Sequence, residues 1–408
     1  MDKYTATISK ARSMITDPST INSKIATYAI HSGHKAFEHP GTGHPVIPPI
    51  SLSTTFSQKY PNCPLKYDYS RAGNYNREIL EITIAAIENA KYCCSYSSGL
   101  ATLSSITQLL KSGDHVLLFN DVYGGTFRYF SKVAAKFNIL FDAIDMRNLD
   151  LVKNSLKPNT KMVWIETPSN PLMRIVDIEA IVKITKQANS DTIVVVDNTF
   201  LTPVFQLPMN LGADIVMHSL TKYMNGHSDV LMGAAAMNNQ EIFESLKQQQ
   251  LMVGAVPSPF DCFLALRGLR TLVVRMNHHQ LSGLAVALFL ADHPKIEKVL
   301  HPALFSSSEK KVIEKQMTGY SGMLSAYVKG SPEDTITFIQ SLKCFQMAES
   351  LGGYESLIEI PSLMTHASVP VEQRAILGIT DNLVRISVGL EDIYSILEDL
   401  EQGLDKIK

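Results

Sequence analysis

The chain has 408 residues, 45% of them hydrophobic and 19% charged, and a formal net charge of -2. This length suits two domains, and the nearly neutral charge excludes the basic surface that nucleic-acid binding requires. The longest apolar run, around residues 284–291, is far shorter than the ~20 residues that span a bilayer, so we expect a globular protein with neither nucleic acid nor membrane as partner.

The cysteines indicate a reducing compartment. The chain has five of them, an odd number, without CxxC or metal-ligand spacing: Cys63, Cys93, Cys94, Cys262 and Cys344. The N-terminus lacks the apolar core of a signal peptide. We therefore expect a cytoplasmic protein that has no metal site.

Residues 1–75 are predicted to form an extended N-terminal arm. They are rich in Pro, Gly, His and Thr and contain many turn signals. Such a segment cannot form a core of its own, so we expect it to lie over another surface. In an oligomer, that surface is one of a neighbouring subunit. It ends with Tyr69 and Arg71, which offer a phenol and a guanidinium. An exposed polar loop is the alternative interpretation of this end.

Residues 76–258 alternate between predicted strands and helices. Ser97 and Ser98 are N-cap candidates before Gly99, where apolar residues at helical spacing indicate that a helix begins. The first amides of a helix lie at its positive end, and glycine allows close approach of a ligand, so this turn is suited to a phosphate. A capped helix without a ligand is the alternative.

The predicted strands of this region point to one edge of a sheet. HVLLFN runs into DVYGGTFRYF, KMVWIETPSNP ends in a polar turn, and TIVVVDNTF is a buried run of β-branched residues. Alternation with helices implies right-handed crossovers and a mostly parallel sheet, whose ligand crevice lies at the carboxyl ends of its strands. The residues that map to this edge are Gly99, Tyr123, Asn170, Asp197 and Lys222.

Lys222 is predicted to be a Schiff-base lysine. It follows the short strand of DIVMHSLTKYMNGHSDVLMG, residues 214–233, and a lysine at the mouth of a sheet loses hydration, which favours its neutral, nucleophilic form. Such amines attack the aldehyde of pyridoxal 5'-phosphate (PLP), the hydroxyls of Ser219 and Thr221 suit its phosphate, and Asp197 suits its protonated ring nitrogen. Tyr123 is placed to stack on a flat heterocycle. The alternatives are a solvated loop lysine, turn-forming hydroxyls, a helix-capping aspartate and a structural tyrosine.

Residues 259–408 are predicted to form a smaller α+β domain that is entered through one long helix, from the Pro257 and Pro259 pair to His293 and Pro294. Within that helix, His278 and His279 are interpreted as surface residues, because no ligand-forming residue stands at metal spacing. The turn AESLGGYES carries Glu349 and Ser350. Arg385 lies among apolar neighbours in LVRISVG, which suits either a carboxylate ligand or an internal salt bridge.

Eight motifs together resemble the Cys/Met-metabolism family of PLP enzymes: SRAGN, SSGLAT, DVYGGT, ETPSNP, VVDNTF, SLTKYMNGHSD, AESLGG and MTHAS. Their order and spacing cover nearly the whole chain. The resemblance implies the fold-type I aminotransferase architecture, an α/β fold with a mostly parallel PLP domain and a smaller α+β C-terminal domain. It also implies a homotetramer made of two active dimers.

The resemblance gives each site residue an expected role. Lys222 resembles the lysine that binds PLP and shuttles protons, and Asp197 resembles the partner of the PLP ring nitrogen. Tyr123 resembles the tyrosine that stacks on the PLP ring. The expected phosphate ligands are the amides of Gly99 and Leu100, the hydroxyls of Ser219 and Thr221, and Tyr69 and Arg71 from the neighbouring subunit. The expected substrate ligands are Asn170, Glu349, Ser350 and Arg385.

The implied activity is cleavage of L-cystathionine by α,γ-elimination to L-cysteine, 2-oxobutyrate and ammonia, with release of hydrogen sulfide from cysteine as a side activity. Gly125 stands where methionine γ-lyases usually have cysteine, and Glu349 resembles an acidic residue of the enzymes that act at the γ-carbon of cystathionine. Synthesis of cystathionine is the alternative, β-cleavage is less favoured, and a non-catalytic PLP-fold protein least of all.

The chain departs from the family pattern at one point. The family usually reads GNPT after the arginine, whereas Gly73 and Asn74 are followed here by Tyr75 and Asn76. Without the proline, the sequence predicts a looser loop around Arg71.

Overall fold

A computed structural model describes residues 2–15, 24–38, 43–367 and 369–407 of the chain. Its strands are β1 (Tyr92–Tyr96), β2 (His115–Phe119), β3 (Leu140–Ile144), β4 (Thr160–Glu166), β5 (Ile193–Asp197), β6 (Ile215–Ser219), β7 (Gly233–Met237), β8 (Ile296–Leu300), β9 (Met323–Val328), β10 (Gln346–Met347), β11 (Leu357–Glu359) and β12 (Leu383–Ser387). Its α-helices are α1 (Asp2–Met14), α2 (Lys24–His31), α3 (Tyr75–Ile87), α4 (Gly99–Thr107), α5 (Gly124–Lys132), α6 (Leu149–Ser155), α7 (Ile178–Ala188), α8 (Thr202–Phe205), α9 (Gln240–Val253), α10 (Pro259–Leu269), α11 (Leu272–Asp292), α12 (Ser307–Gln316), α13 (Pro332–Ser341), α14 (Val371–Leu377) and α15 (Ile393–Leu404).

A seven-stranded sheet forms the centre of the larger unit, in the order β1-β7-β6-β5-β4-β2-β3. The pairs between β3, β2, β4, β5 and β6 are parallel, whereas β7 is antiparallel to both of its neighbours. The central strands are buried runs of apolar residues, as both faces of a parallel sheet require. The prediction of a mostly parallel α/β sheet is therefore confirmed.

Polar side chains begin several of the helices that follow these strands. Ser98 accepts a hydrogen bond from Ala101 N at the start of α4, and Asp177 accepts one from Ala180 N at the start of α7. The cap at Ser98 was expected from the sequence, and each cap satisfies an amide that has no partner within its helix. The cap of α4 fixes the backbone of Gly99 beside the end of β6, since a Cβ atom at Gly99 would lie 3.2 Å from Ser219 Cβ.

A second, five-stranded sheet has the order β10-β11-β12-β9-β8, and it packs with α11, α13 and α15 in a separate apolar cluster. The predicted long linking helix is wrong in one respect, because α10 ends at Leu269 and α11 begins at Leu272. His279 is also not a surface residue: it is fully buried, and its Nδ1 pairs with Val388 O at 2.8 Å. The apolar pattern of α11 extends around the helix, which places the imidazole in the interior.

The segment before α3 differs from the predicted extended arm, because it contains the helices α1 and α2. Tyr4, Ile8 and Ala11 of α1 are buried in the cluster that contains α11, and Ile25 and Ala29 of α2 are buried with α3. These helices are amphipathic, and they bury their apolar faces on the two larger units. The proposed domain limits at residues 75 and 258 remain a prediction. Among the described residues, no helix is both long and apolar enough to cross a membrane.

His301 gives a test of how burial affects stability. It is fully buried, its Nδ1 accepts a hydrogen bond from Ala303 N, and burial lowers its pKa to about 3. In the unfolded chain the pKa returns to about 6.5. As pH falls below that value the unfolded state binds a proton that the folded state does not, so stability is lost on acidification.

We therefore expect His301→Asn, which keeps an acceptor for the cap, to weaken the pH dependence of unfolding. Between about pH 4 and 6, the free energy of unfolding should fall less steeply than in the wild type, by up to about 1.4 kcal/mol per pH unit. Urea unfolding at several pH values measures this slope. His44→Asn at an exposed histidine is the matched control; equal slopes for the two variants would contradict the assignment.

Candidate active site

A cavity of about 490 Å³ opens at the carboxyl edge of the seven-stranded sheet. It is lined both by residues that follow the sheet strands and by residues from the second unit. The predicted site residues among its lining are Gly99, Leu100, Tyr123, Asn170, Asp197, Ser219, Thr221, Lys222, Glu349, Ser350 and Arg385. The structure thus brings together residues that are up to 286 positions apart in the sequence, from Gly99 to Arg385.

Lys222 is a desolvated amine. It lies three residues beyond the end of β6, and its Nζ donates a hydrogen bond of 2.7 Å to Ser350 Oγ. Burial, and secondarily the positive charge of Arg385, lower the pKa of Lys222 to about 8. The neutral amine, which a nucleophile or proton acceptor requires, is therefore far more accessible near neutral pH than in an exposed lysine.

Ser350 reaches Lys222 because its backbone adopts an uncommon conformation. Its φ angle is +83°, in a region that residues other than glycine rarely occupy. In this conformation the hydroxyl faces Lys222 and the carbonyl accepts a hydrogen bond of 2.7 Å from Arg385 Nη2. One turn residue therefore connects the amine with the guanidinium.

Asp197 presents a carboxylate to the cavity from the end of β5. Its Oδ1 accepts a hydrogen bond of 2.9 Å from Thr199 N. Burial raises the pKa of Asp197 because a charged carboxylate loses hydration there. No described residue forms an ion pair with Asp197, so the site is suited to a cationic group of a ligand.

The start of α4 and the turn after β6 form a polar pocket wall. The hydroxyls of Ser219 and Thr221 lie on the same wall as Gly99 and Leu100. Thr221 Oγ1 also exchanges hydrogen bonds with the backbone of Met232, which fixes its position. Helix amides beside hydroxyl groups suit a phosphate or another anion.

Tyr123 begins α5 without a side-chain cap, and its own backbone N donates a hydrogen bond of 2.7 Å to Glu166 Oε2. Its ring is partly exposed to the cavity and lies close over Gly125: a Cβ atom at Gly125 would be 2.3 Å from Tyr123 Cε1. Glycine at position 125 therefore permits the position that the ring takes.

Arg385 is held by three partners. Its Nη1 lies 2.9 Å from Glu359 Oε1 and donates to Asn170 Oδ1 at 3.2 Å, and its Nη2 donates to Ser350 O. Glu359 and Arg385 are register partners on β11 and β12. The sequence offered an internal salt bridge and a carboxylate-binding position as alternatives for Arg385. The structure shows the salt bridge, and it also places Arg385 on the cavity wall.

Tyr69 and Arg71 do not line the cavity of their own chain. Both are exposed, Arg71 lies 5.5 Å from the centre of the Tyr69 ring, and its Nη1 donates to Leu251 O of α9 at 2.7 Å. Their role in phosphate binding therefore remains a prediction, because they do not reach the cavity of their own chain.

The loop that carries these two residues is anchored by side chains in place of the family's proline. Asn74 accepts hydrogen bonds from the first amides of α3, and Asn76 binds Pro49 O and Ser51 N. Tyr75 Oη pairs with His34 Nδ1 at 2.8 Å. The buried Arg77 donates to the carbonyls of residues 70 and 71. These contacts do not support the expectation of a looser loop.

Sequence reasoning missed several residues of the cavity region, which hold the predicted ones either directly or through one another. They are Thr126, Glu166, Thr199, Glu359 and Thr365. Glu166 had a signal in the sequence, because it ends the apolar run of KMVWIETPSNP in the same way that Asp197 ends the apolar run of TIVVVDNTF. Glu359 had none, since its pairing with Arg385 depends on the order of strands in the second sheet.

The residues present fit pyridoxal phosphate. Four kinds of group face one cavity. They are a buried amine of lowered pKa, a buried carboxylate without an ion-pair partner among the described residues, an aromatic ring, and a polar wall at a helix start. These are the groups that bind an aldehyde, a protonated ring nitrogen, a flat ring and a phosphate.

The chain belongs to the Cys/Met metabolism PLP-dependent enzyme family, whose sequence pattern matches residues 26–405. It is therefore a PLP-dependent enzyme, and the predicted family and cofactor are confirmed. It is 54% identical to the cystathionine gamma-lyase of Dictyostelium discoideum over 386 residues, which cover 94% of this chain and 98% of that protein.

Two solved structures have the same fold. The crystal structure of cystathionine gamma-lyase from yeast matches with a TM-score of 0.89 and 46% identity, over 94% of this chain and 98% of the other. Cystathionine gamma synthase from Xanthomonas oryzae pv. oryzae in complex with cystathionine matches with a TM-score of 0.90 and 37% identity, over the same shares. The α/β fold class with its smaller second unit is thus confirmed, whereas the fold alone does not separate the two activities.

Gly125 offers a test of the Tyr123 ring position. In Gly125→Ala the added methyl group forces the ring away from its place at the cavity, so we expect about tenfold weaker binding of pyridoxal phosphate, measured by titrating the apoenzyme and following visible absorbance. The control is the same substitution in a Tyr123→Ala background, where no further loss is expected. An equal loss in both backgrounds would show that Gly125 acts by another route.

Proposed function

We propose that this enzyme cleaves L-cystathionine by α,γ-elimination. One molecule each of cystathionine and water gives L-cysteine, 2-oxobutyrate and ammonia. The observation that carries the proposal is the placement of Glu349 and Arg385 in one cavity with Lys222 between the two units. Cystathionine has a carboxylate and an amine at each end, so a guanidinium and a carboxylate at separate points of the cavity suit both of its ends.

The binding residues orient the substrate. Arg385 and Asn170 bind the α-carboxylate next to the reacting carbon, where the guanidinium is already held in place by Glu359. Glu349, exposed at the cavity wall, binds the distal ammonium group. This second contact favours cystathionine over a shorter sulfur amino acid that has no distal amine.

Lys222 moves the protons. Its pKa of about 8 allows Nζ to accept a proton from the α-carbon of the substrate near neutral pH and to exchange one at the β-carbon. Ser350 Oγ, 2.7 Å from Nζ, keeps the amine directed into the cavity. Tyr123, which lines the cavity, would stack on the ring of the cofactor and restrict the access of water.

When bound, pyridoxal phosphate supplies an electron sink for the charge left on the α-carbon. Lys222 would hold its aldehyde, Asp197 its ring nitrogen, and Gly99, Leu100, Ser219 and Thr221 its phosphate. Asp197 serves this purpose because an ionised carboxylate stabilises the protonated ring nitrogen.

Synthesis of cystathionine is the second candidate, supported by the likeness to the Xanthomonas synthase. The named relatives favour cleavage, because the Dictyostelium gamma-lyase is 54% identical and the yeast gamma-lyase 46%, against 37% for that synthase. β-Cleavage is less favoured because Glu349 is acidic. A non-catalytic role is the least favoured, since Lys222 and the predicted ligands of its own chain face the cavity.

The assembly proposed with this function is a homotetramer of two active dimers, in which Tyr69 and Arg71 reach the phosphate of a neighbouring subunit. Their exposure outside their own cavity and the anchored loop support this assignment. We further propose a cytoplasmic enzyme of trans-sulfuration and cysteine biosynthesis, with release of hydrogen sulfide from cysteine as a side activity.

The first test is analysis of the products from L-cystathionine. We expect cysteine and 2-oxobutyrate in equal amounts, and a rate at least about 10³-fold lower in Lys222→Ala, because that variant lacks the base. Homocysteine with pyruvate would instead indicate β-cleavage. Faster condensation of cysteine with an activated homoserine ester would favour the synthase.

The shared site is tested by mixing two inactive variants. A hybrid of Lys222→Ala and Arg71→Ala subunits contains one intact site, because Lys222 comes from one subunit and Arg71 from the other. After subunit exchange we expect recovery of about a quarter of the wild-type activity. Lys222→Ala mixed with Asp197→Ala is the matched control, which should recover none, since both residues come from the same subunit. Failure of the first pair to exceed the control would refute the shared site.

A further inference from the structure

The ends of β4 and β5 carry two carboxyl groups side by side. Glu166 and Asp197 are register partners in the parallel ladder, so their side chains project to the same face of the sheet. Both line the cavity, and among the described residues neither forms an ion pair. Two neighbouring buried carboxyls without a cation are too costly to ionise together, so such a pair retains a proton.

Glu166 is the more enclosed member of the pair. It is 5% exposed, and its oxygens accept hydrogen bonds from Tyr123 N at 2.7 Å, Thr126 Oγ1 at 2.7 Å and Trp164 Nε1 at 3.3 Å. These contacts replace the side-chain cap that α5 lacks. Glu166 therefore fixes the start of the helix that carries the Tyr123 ring.

The hydrogen-bond partners also determine where the proton is able to reside. The Tyr123 amide only donates, so Glu166 Oε2 has to accept. Thr126 Oγ1 is a hydroxyl that either donates or accepts, so a proton on Glu166 Oε1 finds an acceptor there. Asp197, in contrast, accepts a hydrogen bond from the Thr199 amide, lines the cavity and has no ion-pair partner among the described residues.

We infer that Glu166 is a positioning residue of the cofactor site and the neutral member of the carboxyl pair. It holds the start of α5 and with it the Tyr123 ring. Because Glu166 is neutral, the one negative charge of the pair stays on Asp197, where it is available to the protonated ring nitrogen of pyridoxal phosphate. A single carboxylate then faces a single cation, and no unpaired charge remains buried.

The surrounding charges agree with this assignment. Burial, and then the charge of Asp197, raise the pKa of Glu166 to about 8. The other titratable groups lining the cavity are Tyr123 just before α5, Lys222 after β6, Glu349 and Arg385. His218 on β6 interacts with Asp197. None of these side chains hydrogen-bonds or ion-pairs with Glu166, so no cation at hand forces it to ionise.

The inference rests on the cofactor of the family and not on the proposed substrate. A product assay that showed β-cleavage or synthesis would leave the role of Glu166 unchanged. Likewise, an ionised Glu166 would leave the expected products of that assay unchanged. The two proposals are therefore tested separately.

The direct test is infrared spectroscopy of the holoenzyme, which detects the carbonyl stretch of a protonated carboxylic acid. We expect such a band at pH 7, and it should shift when glutamate is labelled with carbon-13. The band should disappear as the pH is raised through about 8, and it should be absent in Glu166→Gln. Glu359→Gln, at the buried glutamate paired with Arg385, is the control that should keep the band. Absence of the band in the wild type, or its full retention in Glu166→Gln, would overturn the inference.

Cofactor affinity gives a second measurement. Glutamine has the length and the neutrality of protonated glutamate, so Glu166→Gln should bind pyridoxal phosphate within about threefold of the wild type. Glu166→Asp keeps a carboxyl group but is too short to reach Tyr123 N, and we expect about tenfold weaker binding. The reverse order, with aspartate binding well and glutamine poorly, would show that the charge of Glu166 is required. If the glutamine variant does not fold, the label-sensitive band of the wild type decides alone.

Discussion

Removal of charged groups from water at one sheet edge is the constraint on which this site depends. Asp197 ends β5 and Lys222 follows β6, two strands whose central residues are buried, and each loses hydration there. Desolvation moves their pKa values in opposite directions, down for the amine and up for the carboxyl, so both tend to neutrality. A protein gains from this arrangement only when a ligand supplies the missing charges, which is what a cofactor with a phosphate and a protonated ring nitrogen does.

The two units contribute different functions to that edge. The seven-stranded sheet places the groups that fit the cofactor, and the second sheet delivers Arg385 through its pairing with Glu359. The guanidinium crosses to Asn170 of the larger unit, so the carboxylate clamp exists only while the two units are in contact. Binding a substrate carboxylate at this clamp therefore depends on the relative position of the two sheets.

The larger unit could be predicted well from the sequence, because its signals are local. TIVVVDNTF marks a buried parallel strand by composition, and Ser98 marks a helix start by its position before apolar periodicity. The predictions failed where tertiary packing decides. His279 was interpreted as a surface residue because no ligand-forming residue stands at metal spacing, and that reason says nothing about packing. The break between α10 and α11 has no Pro or Gly at its centre. The partners of Arg385 and of Glu166 depend on strand order and register, which no single stretch encodes.

The conformation of Ser350 has a consequence for how this enzyme could change. Its hydroxyl meets the Lys222 amine and its carbonyl meets the Arg385 guanidinium, both through one backbone geometry with φ at +83°. A substitution that relaxes this geometry alters the basicity of the amine and the hold on the substrate carboxylate together. Turnover and substrate preference are thus linked in this enzyme, because a substitution in this turn that changes one of them also changes the other.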